Sequence, residues 1–189
     1  PKKDSGYDID FFDNYRNKNY HHQIDILYLP EDEDTKDKYC LVVVDVSTRI
    51  MDARPLKTRN MKEIIKKLKQ IYKGNILKPP EKIQADSEFD NDIFRDAFKN
   101  IYIKINKVGR HKSNGFVENR NLILGKILHK RMNSEEIFHN KTAGKTNYYS
   151  RVWVKYLKKI TKKVNEILER EINEIDIENI KISDLIKRK

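Results

Sequence analysis

HHQIDILYLPEDEDTKDKYCLVVVDVSTRIMDARPL, residues His21 to Leu56, decides the fold. From His22 to Leu29 it alternates loosely and is rich in β-formers, which predicts a first strand. The acidic turn Glu31-Asp32-Glu33-Asp34 separates that strand from Tyr39 to Val46. The second run is too short for a helix and too β-branched to prefer one, so it is expected to be a buried central strand. A third strand is expected near Arg49 to Leu56, with Pro55 at its end. Three strands with short connections make an antiparallel meander.

Helical spacing starts at Asn60, a capping residue with Glu63 as its box partner. Met61, Ile64, Ile65, Leu68, Ile71 and Tyr72 share one face, and Gly74 ends the helix. Beyond it the pattern predicts a strand at Lys82 to Ala85, a helix from Phe89 to Asn100 and a strand at Ile101 to Ile105. The loop Gly109 to Gly115 leads into a helix from about Phe116 to Met132. A long amphipathic helix follows from about Arg151 to Glu171, and Asn173 to Lys189 is ambiguous between strand and helix. The order βββ-α-β-α-β-α-α is that of an RNase H-like α/β fold, a five-stranded mixed sheet flanked by helices with a C-terminal helical extension. The expected division is a leader over 1–19, a catalytic core over 20–135 and the extension over 136–189. A chain that starts at Pro1 without methionine is expected to be a piece of something longer.

Composition narrows the partners. Among 189 residues, 40 Lys and Arg against 29 Asp and Glu leave a net charge of +11. That excess suits a polyanion, although Lys- and Ile-rich chains also arise from AT-rich coding. The single Cys40 lies in an apolar run, so it reads as a core thiol and excludes an internal disulfide or a two-thiolate zinc site. Without a signal peptide or a long apolar span, the chain is expected to be soluble and intracellular, with no membrane partner and no small-molecule substrate.

Three acids carry the chemistry: Asp25 in the first strand, Asp86 just past the fourth, and Glu118 in the first turn of a later helix. Carboxylates converging from distant segments make the hard oxygen pocket that Mg²⁺ or Mn²⁺ selects. Each also has a plainer reading. Asp25 could face solvent, Asp86 could cap a helix, and Glu118 could serve the helix dipole.

The local contexts resemble the catalytic core of retroviral-type integrases, and more closely those of Polinton/Maverick elements, virophages and related large DNA viruses. The resembling blocks are His22-Gln23-Ile24-Asp25, Val42-Val43-Val44-Asp45 with Thr48-Arg49 and Pro55-Leu56-Lys57, and Ser113-Asn114-Gly115-Phe116-Val117-Glu118-Asn119-Arg120-Asn121. They cover about residues 20 to 170. Departures are His22 where the family has Trp, and Asp86-Ser87-Glu88-Phe89, two residues shorter than the usual block and without its glycine. Only 31 residues separate Asp86 from Glu118, and Leu122 and Gly125 stand where the family often has basic residues.

The resemblance implies a polynucleotidyl transferase that trims the 3′ ends of element or viral DNA and joins them to target DNA. It would use two Mg²⁺ or Mn²⁺ ions, with Asp25 bridging both and Asp86 and Glu118 completing one each. Double-stranded DNA ends, target DNA and further copies of the chain are the implied partners. Asn121, Lys112, Asn114, Lys126 and Lys130 are candidate DNA contacts. The alternatives are an RNase H-like nuclease without strand transfer and a non-catalytic DNA-binding or assembly module. Asp45 reads as structural, and His21, His22 and His111 as solvent or loop residues. Host nucleus, viral factory and virion are not distinguishable from the sequence.

Overall fold

The computed structural model describes residues 17–106, 114–142 and 149–186, with side chains described through Arg170. Residues 1–16 of the expected leader, His111 and Lys112 lie outside the described residues. The strands are β1 (His21–Tyr28), β2 (Tyr39–Asp45), β3 (Met51–Leu56), β4 (Lys82–Ala85) and β5 (Tyr102–Ile105). Their order in the sheet is β3-β2-β1-β4-β5. The β1–β2 and β2–β3 pairs are antiparallel, while β1–β4 and β4–β5 are parallel. One face carries α1 (Met61–Lys73) and α2 (Asp92–Ala97), and the other α3 (Gly115–Thr142) and α4 (Val154–Ile186). This is the RNase H-like α/β arrangement that the element order predicts.

Strand periodicity builds two cores. Leu41 and Val43 of β2 join Ile24, Ile26, Ile64 and Leu68 on the α1 side. Cys40, Val42 and Val44 join Val117, Leu124, Leu128 and Trp153 on the α3–α4 side. Burial on both faces is therefore why this strand reads as an unbroken apolar run. Fully burying one such aliphatic chain contributes about 1.5–3 kcal/mol.

Helix boundaries depart from expectation where capping outweighs periodicity. Asn60 caps α1 by accepting from Lys62 N at 2.9 Å. Its expected box partner Glu63 instead accepts from Lys57 N and Thr58 N, both at 3.0 Å, because the β3–α1 connection folds back over the first turn. The helix expected over Phe89 to Asn100 is split into a 3₁₀ turn at Ser87–Phe89 and α2, since the Asn91 side chain starts a new cap on Ile93 N. Helix α3 runs past Met132 to Thr142 without a break at residues 135 and 136. Glu135 and Glu136 anchor this last stretch through Ser150 and Tyr156. The ambiguous tail is helical through Ile186.

The acidic turn after β1 ties the C-terminal half of the chain to the sheet. Asp32 Oδ2 accepts from Trp153 N at 2.8 Å and Val154 N at 2.9 Å, capping α4 from 121 residues away. Oδ1 accepts from Asp34 N and Thr35 N. Burial raises the Asp32 carboxyl pKa, but these donors outweigh it and hold the group below its ordinary range.

Candidate active site

Gln23 and Asp25 alternate with Ile24 and Ile26, so they point away from the α1 core and toward α3. Gln23 Oε1 accepts from Phe116 N at 3.1 Å and Val117 N at 3.2 Å. Both belong to the first turn of a helix, where N–H groups lack intrahelical partners. That bond seats the start of α3, and with it Glu118, over β1. One turn on, Asn121 donates from Nδ2 to Asp25 Oδ2 at 2.7 Å, while Asp25 Oδ1 accepts from Ile26 N at 2.8 Å.

Asp86 follows β4 at the cap position of the 3₁₀ turn, yet its side chain caps nothing there. Its Oδ1 accepts instead from Asn106 Nδ2 at 3.1 Å and Asn114 Nδ2 at 2.8 Å. Behind them, Gln84 Nε2 donates to Asn106 Oδ1 at 2.9 Å. The buried amides of Gln84 and Asn106 thus lead in a row to the exposed Asp86 and fix the orientation of its carboxylate. Charge is concentrated here. Burial, then the fields of Asp86, Glu88 and Glu118, push the Asp25 carboxyl up to about 6 against the hydrogen bond from Ile26. Burial and Asp86 likewise raise Glu88, while Arg59 lowers it.

These groups have the chemistry of a hard-cation site. All donors are oxygen, the carboxylates repel one another, and the buried Asn114 Oδ1 and Asn121 Oδ1 have no hydrogen-bond partner. Among the described residues, no three His, Cys, Asp or Glu side chains are already gathered into a ligand set. Ion binding therefore requires the carboxylates to move closer together, and both Asp86 and Glu118 are exposed.

Of the candidate DNA contacts, Lys126 and Lys130 are exposed. They line a groove of about 820 Å³ with Glu118, Asn121, Leu122 and Leu27. Asn114 and Asn121 are buried with their amides turned to the carboxylates. Lys112 falls outside the described residues. His21 and His22 are buried rather than in solvent or a loop, because β1 lies between β2 and β4. Burial, then His21, lowers the His22 imidazole to about 3, so it is neutral beside the Tyr72 hydroxyl. Asp45 is structural: it accepts from Asn19 N, Thr48 N and the Thr48 hydroxyl.

Gln84, Asn106 and Glu88 were not picked out from sequence. A glutamine inside the short apolar strand Lys82–Ala85 is the available signal for the first. Asn106→Leu should remove the bond to Asp86 and weaken Mn²⁺ binding by about 10–100-fold, as loss of a ligand-orienting partner does. Isothermal calorimetry on the two proteins checks this, and equal affinities would remove Asn106 from the account.

Neither a protein-family model nor a curated protein sequence matches the chain. Solved structures do. A chain of the simian T-cell lymphotropic virus intasome, solved with PP2A regulatory subunit B56 gamma, matches with TM-score 0.55 and 19% identity over 74% of this chain. The match spans only 54% of that longer chain. The HTLV-2 integrase catalytic core domain, in its dimeric form with magnesium, matches with TM-score 0.51 and 21% identity, covering 62% of this chain and 74% of that one. The likeness at this identity is one of fold alone: the sheet and its flanking helices resemble those of the two solved chains.

Proposed function

We propose that the chain is the catalytic core of a divalent-metal-dependent polynucleotidyl transferase of the integrase type. Its substrates would be the ends of mobile or viral DNA and a target duplex. The observation that supports this most is that Asp86 and Glu118, carried by other parts of the chain, are near enough for their charges to help raise the Asp25 carboxyl, while Asn121 and Asn114 bond to Asp25 and Asp86. Asp25, Asp86 and Glu118 would hold the ions. Bound there, Mg²⁺ or Mn²⁺ would acidify the attacking hydroxyl and offset charge on the phosphate. The chain itself orients the acids through Asn121, Asn106 and Asn114 and presents Lys126 and Lys130 to the DNA backbone. Water would attack first to trim a 3′ end, and the freed 3′-hydroxyl would then attack a target phosphodiester in line. The sequence blocks around Asp25 and Glu118 favour the Polinton/Maverick and virophage branch, working as a homo-oligomer.

The test is incubation of labelled DNA duplexes with Mn²⁺, parent protein and Glu118→Gln. Parent protein should yield both shortened and joined strands. The variant should lose both products while binding DNA equally or more tightly, since one negative charge is gone and the lysine contacts do not depend on metal. Cleavage without joining in the parent favours the nuclease alternative. A Glu118→Gln protein that joins strands at the parent rate removes Glu118 from the site.

A further inference from the structure

The two edges of the sheet are finished differently. At β3, Asn165 of α4 accepts from Met51 N at 3.0 Å and donates to Met51 O at 2.8 Å, so a side chain occupies that edge. At β5, Tyr102 N and Asn106 N turn inward to Glu81 O and Ala85 O, both at 2.9 Å. Backbone direction alternates along a strand, so Ile103 and Ile105 turn their N–H and C=O groups outward. Among the described residues, β5 pairs with β4 alone. Ile101, Ile103 and Ile105 pack against the α1–α2 core and are only partly buried. Beside them runs a groove of about 570 Å³, lined by Ile101 and Ile103.

Short edge strands that carry a lysine resist pairing with other chains, and β5 has four residues including Lys104. Three half-covered isoleucines and the groove beside them are not explained by that. The chain carries a segment of matching pattern. Tyr7-Asp8-Ile9-Asp10-Phe11 alternates apolar and acidic residues, the period of a half-buried strand. Its place in the chain also suits this edge. Tyr20 O accepts from Glu81 N at 3.1 Å and Lys82 N at 3.0 Å, and Glu81 O accepts from Tyr102 N, so β1, β4 and β5 start level and run parallel. Three strand spacings, roughly 14 Å, separate β1 from the position beyond β5. Residues 12 to 16 can span roughly 17 Å. A segment that crosses this end of the sheet before entering β1 runs antiparallel to β5.

We propose that Tyr7 to Phe11 add to β5 of the same chain as a sixth, antiparallel strand, with Ile9 opposite Ile103. In that register Ile9 exchanges both backbone bonds with Ile103, and Tyr7 with Ile105. Tyr7, Ile9 and Phe11 lie beside Ile105, Ile103 and Ile101 on the α1–α2 face and close the groove. Asp8 stands opposite Lys104 on the other face, an opposite-charge pair across the strands. The added strand braces β5, which leads into Asn106, the amide bonded to Asp86. This pairing is independent of the DNA reading given above.

Residue-resolved hydrogen exchange by NMR, on the full chain, tests it. The Ile103 and Ile105 amides should be protected in the parent like the inward-facing Lys104 amide. Ile9→Pro removes a donor from the added strand, so exchange at both amides should quicken by about tenfold or more. Phe11→Asp should act in the same direction by setting a charge beside Ile101. The Val42 amide, in the buried strand β2, should hold in both variants and reports that the domain is folded. Asp8→Cys combined with Lys104→Cys should oxidise to a disulfide within one chain, because facing positions lie within its reach. Ile9→Cys combined with Lys104→Cys should not, because a shift of one residue turns the side chain to the opposite face. Cys40 is buried and does not compete. Fast exchange at Ile103 and Ile105 in the parent overturns the proposal, as does exchange that neither substitution changes. Equal oxidation of the two cysteine pairs also overturns it. A disulfide that joins two chains in dilute protein assigns the edge to a second copy and overturns the pairing within one chain.

Discussion

Asp25→Asn should abolish metal-dependent strand joining and make the metal-free protein more stable at neutral pH. The loss follows from removing a carboxylate that no other described side chain replaces at that point of β1. Several kcal/mol of transition-state stabilisation go with it, a fall of about a thousandfold or more. The gain follows from linkage. The folded-state pKa of Asp25 is raised to about 6 from the ordinary 3.8. The folded protein thus holds this proton more tightly than the unfolded chain does. Its stabilising contribution is full below the ordinary value and is lost as pH rises through about 6. Above that window the ionised carboxylate is a cost, and asparagine removes it. Asn121 can turn its partnerless Oδ1 toward the new amide. Screening and imperfect repairing reduce the gain to about 1–2 kcal/mol. Between pH 4 and pH 7 the melting temperature of the variant should gain on that of the parent, because the opposing contribution of neutral His22 is common to both proteins. Added Mn²⁺ should raise the parent at pH 7 and leave the variant nearly unmoved. Parallel pH curves for the two proteins would contradict the assignment of Asp25.

Trp153→Ala should cost about 3–5 kcal/mol, the range for deleting a fully buried tryptophan. Trp153 is 0% exposed, packs against the β2 and α3 core, and donates from Nε1 to Pro30 O at 2.9 Å. The cavity would open where α4 meets the Asp32 cap, so both anchors of that helix would weaken together. A loss of this size is a large part of the total stability of an ordinary domain. Melting should drop by about 10 °C or more. Ile167→Ala, 46% exposed on the same helix, should change it by little. Circular dichroism is the readout, because the variant has lost the only tryptophan. A Trp153→Ala protein within 1 kcal/mol of the parent would mean that α4 is not part of the core.

Where burial imposes a period, the chain announces its fold. Tyr39 to Asp45 could be read because both faces of β2 are covered, and α1 because its stripe and the Asn60 cap coincide. Where one polar bond decides, periodicity fails. The break before α2 depends on a single Asn91 side chain, and the cap on α4 comes from Asp32 across the whole domain. Helix α3 outlasts its apolar stripe because Ile137 and Phe138 are exposed and polar anchors take over. The acids proposed for the site stand out in the sequence through their neighbours. Two of the amides behind Asp86, Gln84 and Asn106, do not, since they meet it only when β4 and β5 pair.

The most direct measurement of the central claim is anomalous scattering from a crystal of this chain soaked in Mn²⁺. Density for manganese should lie among the carboxylates of Asp25, Asp86 and Glu118, with Glu118 turned in from its exposed position and a second ion about 4 Å from the first where both are held. A fully soaked crystal with manganese absent from these three side chains, or bound without Glu118, would contradict it.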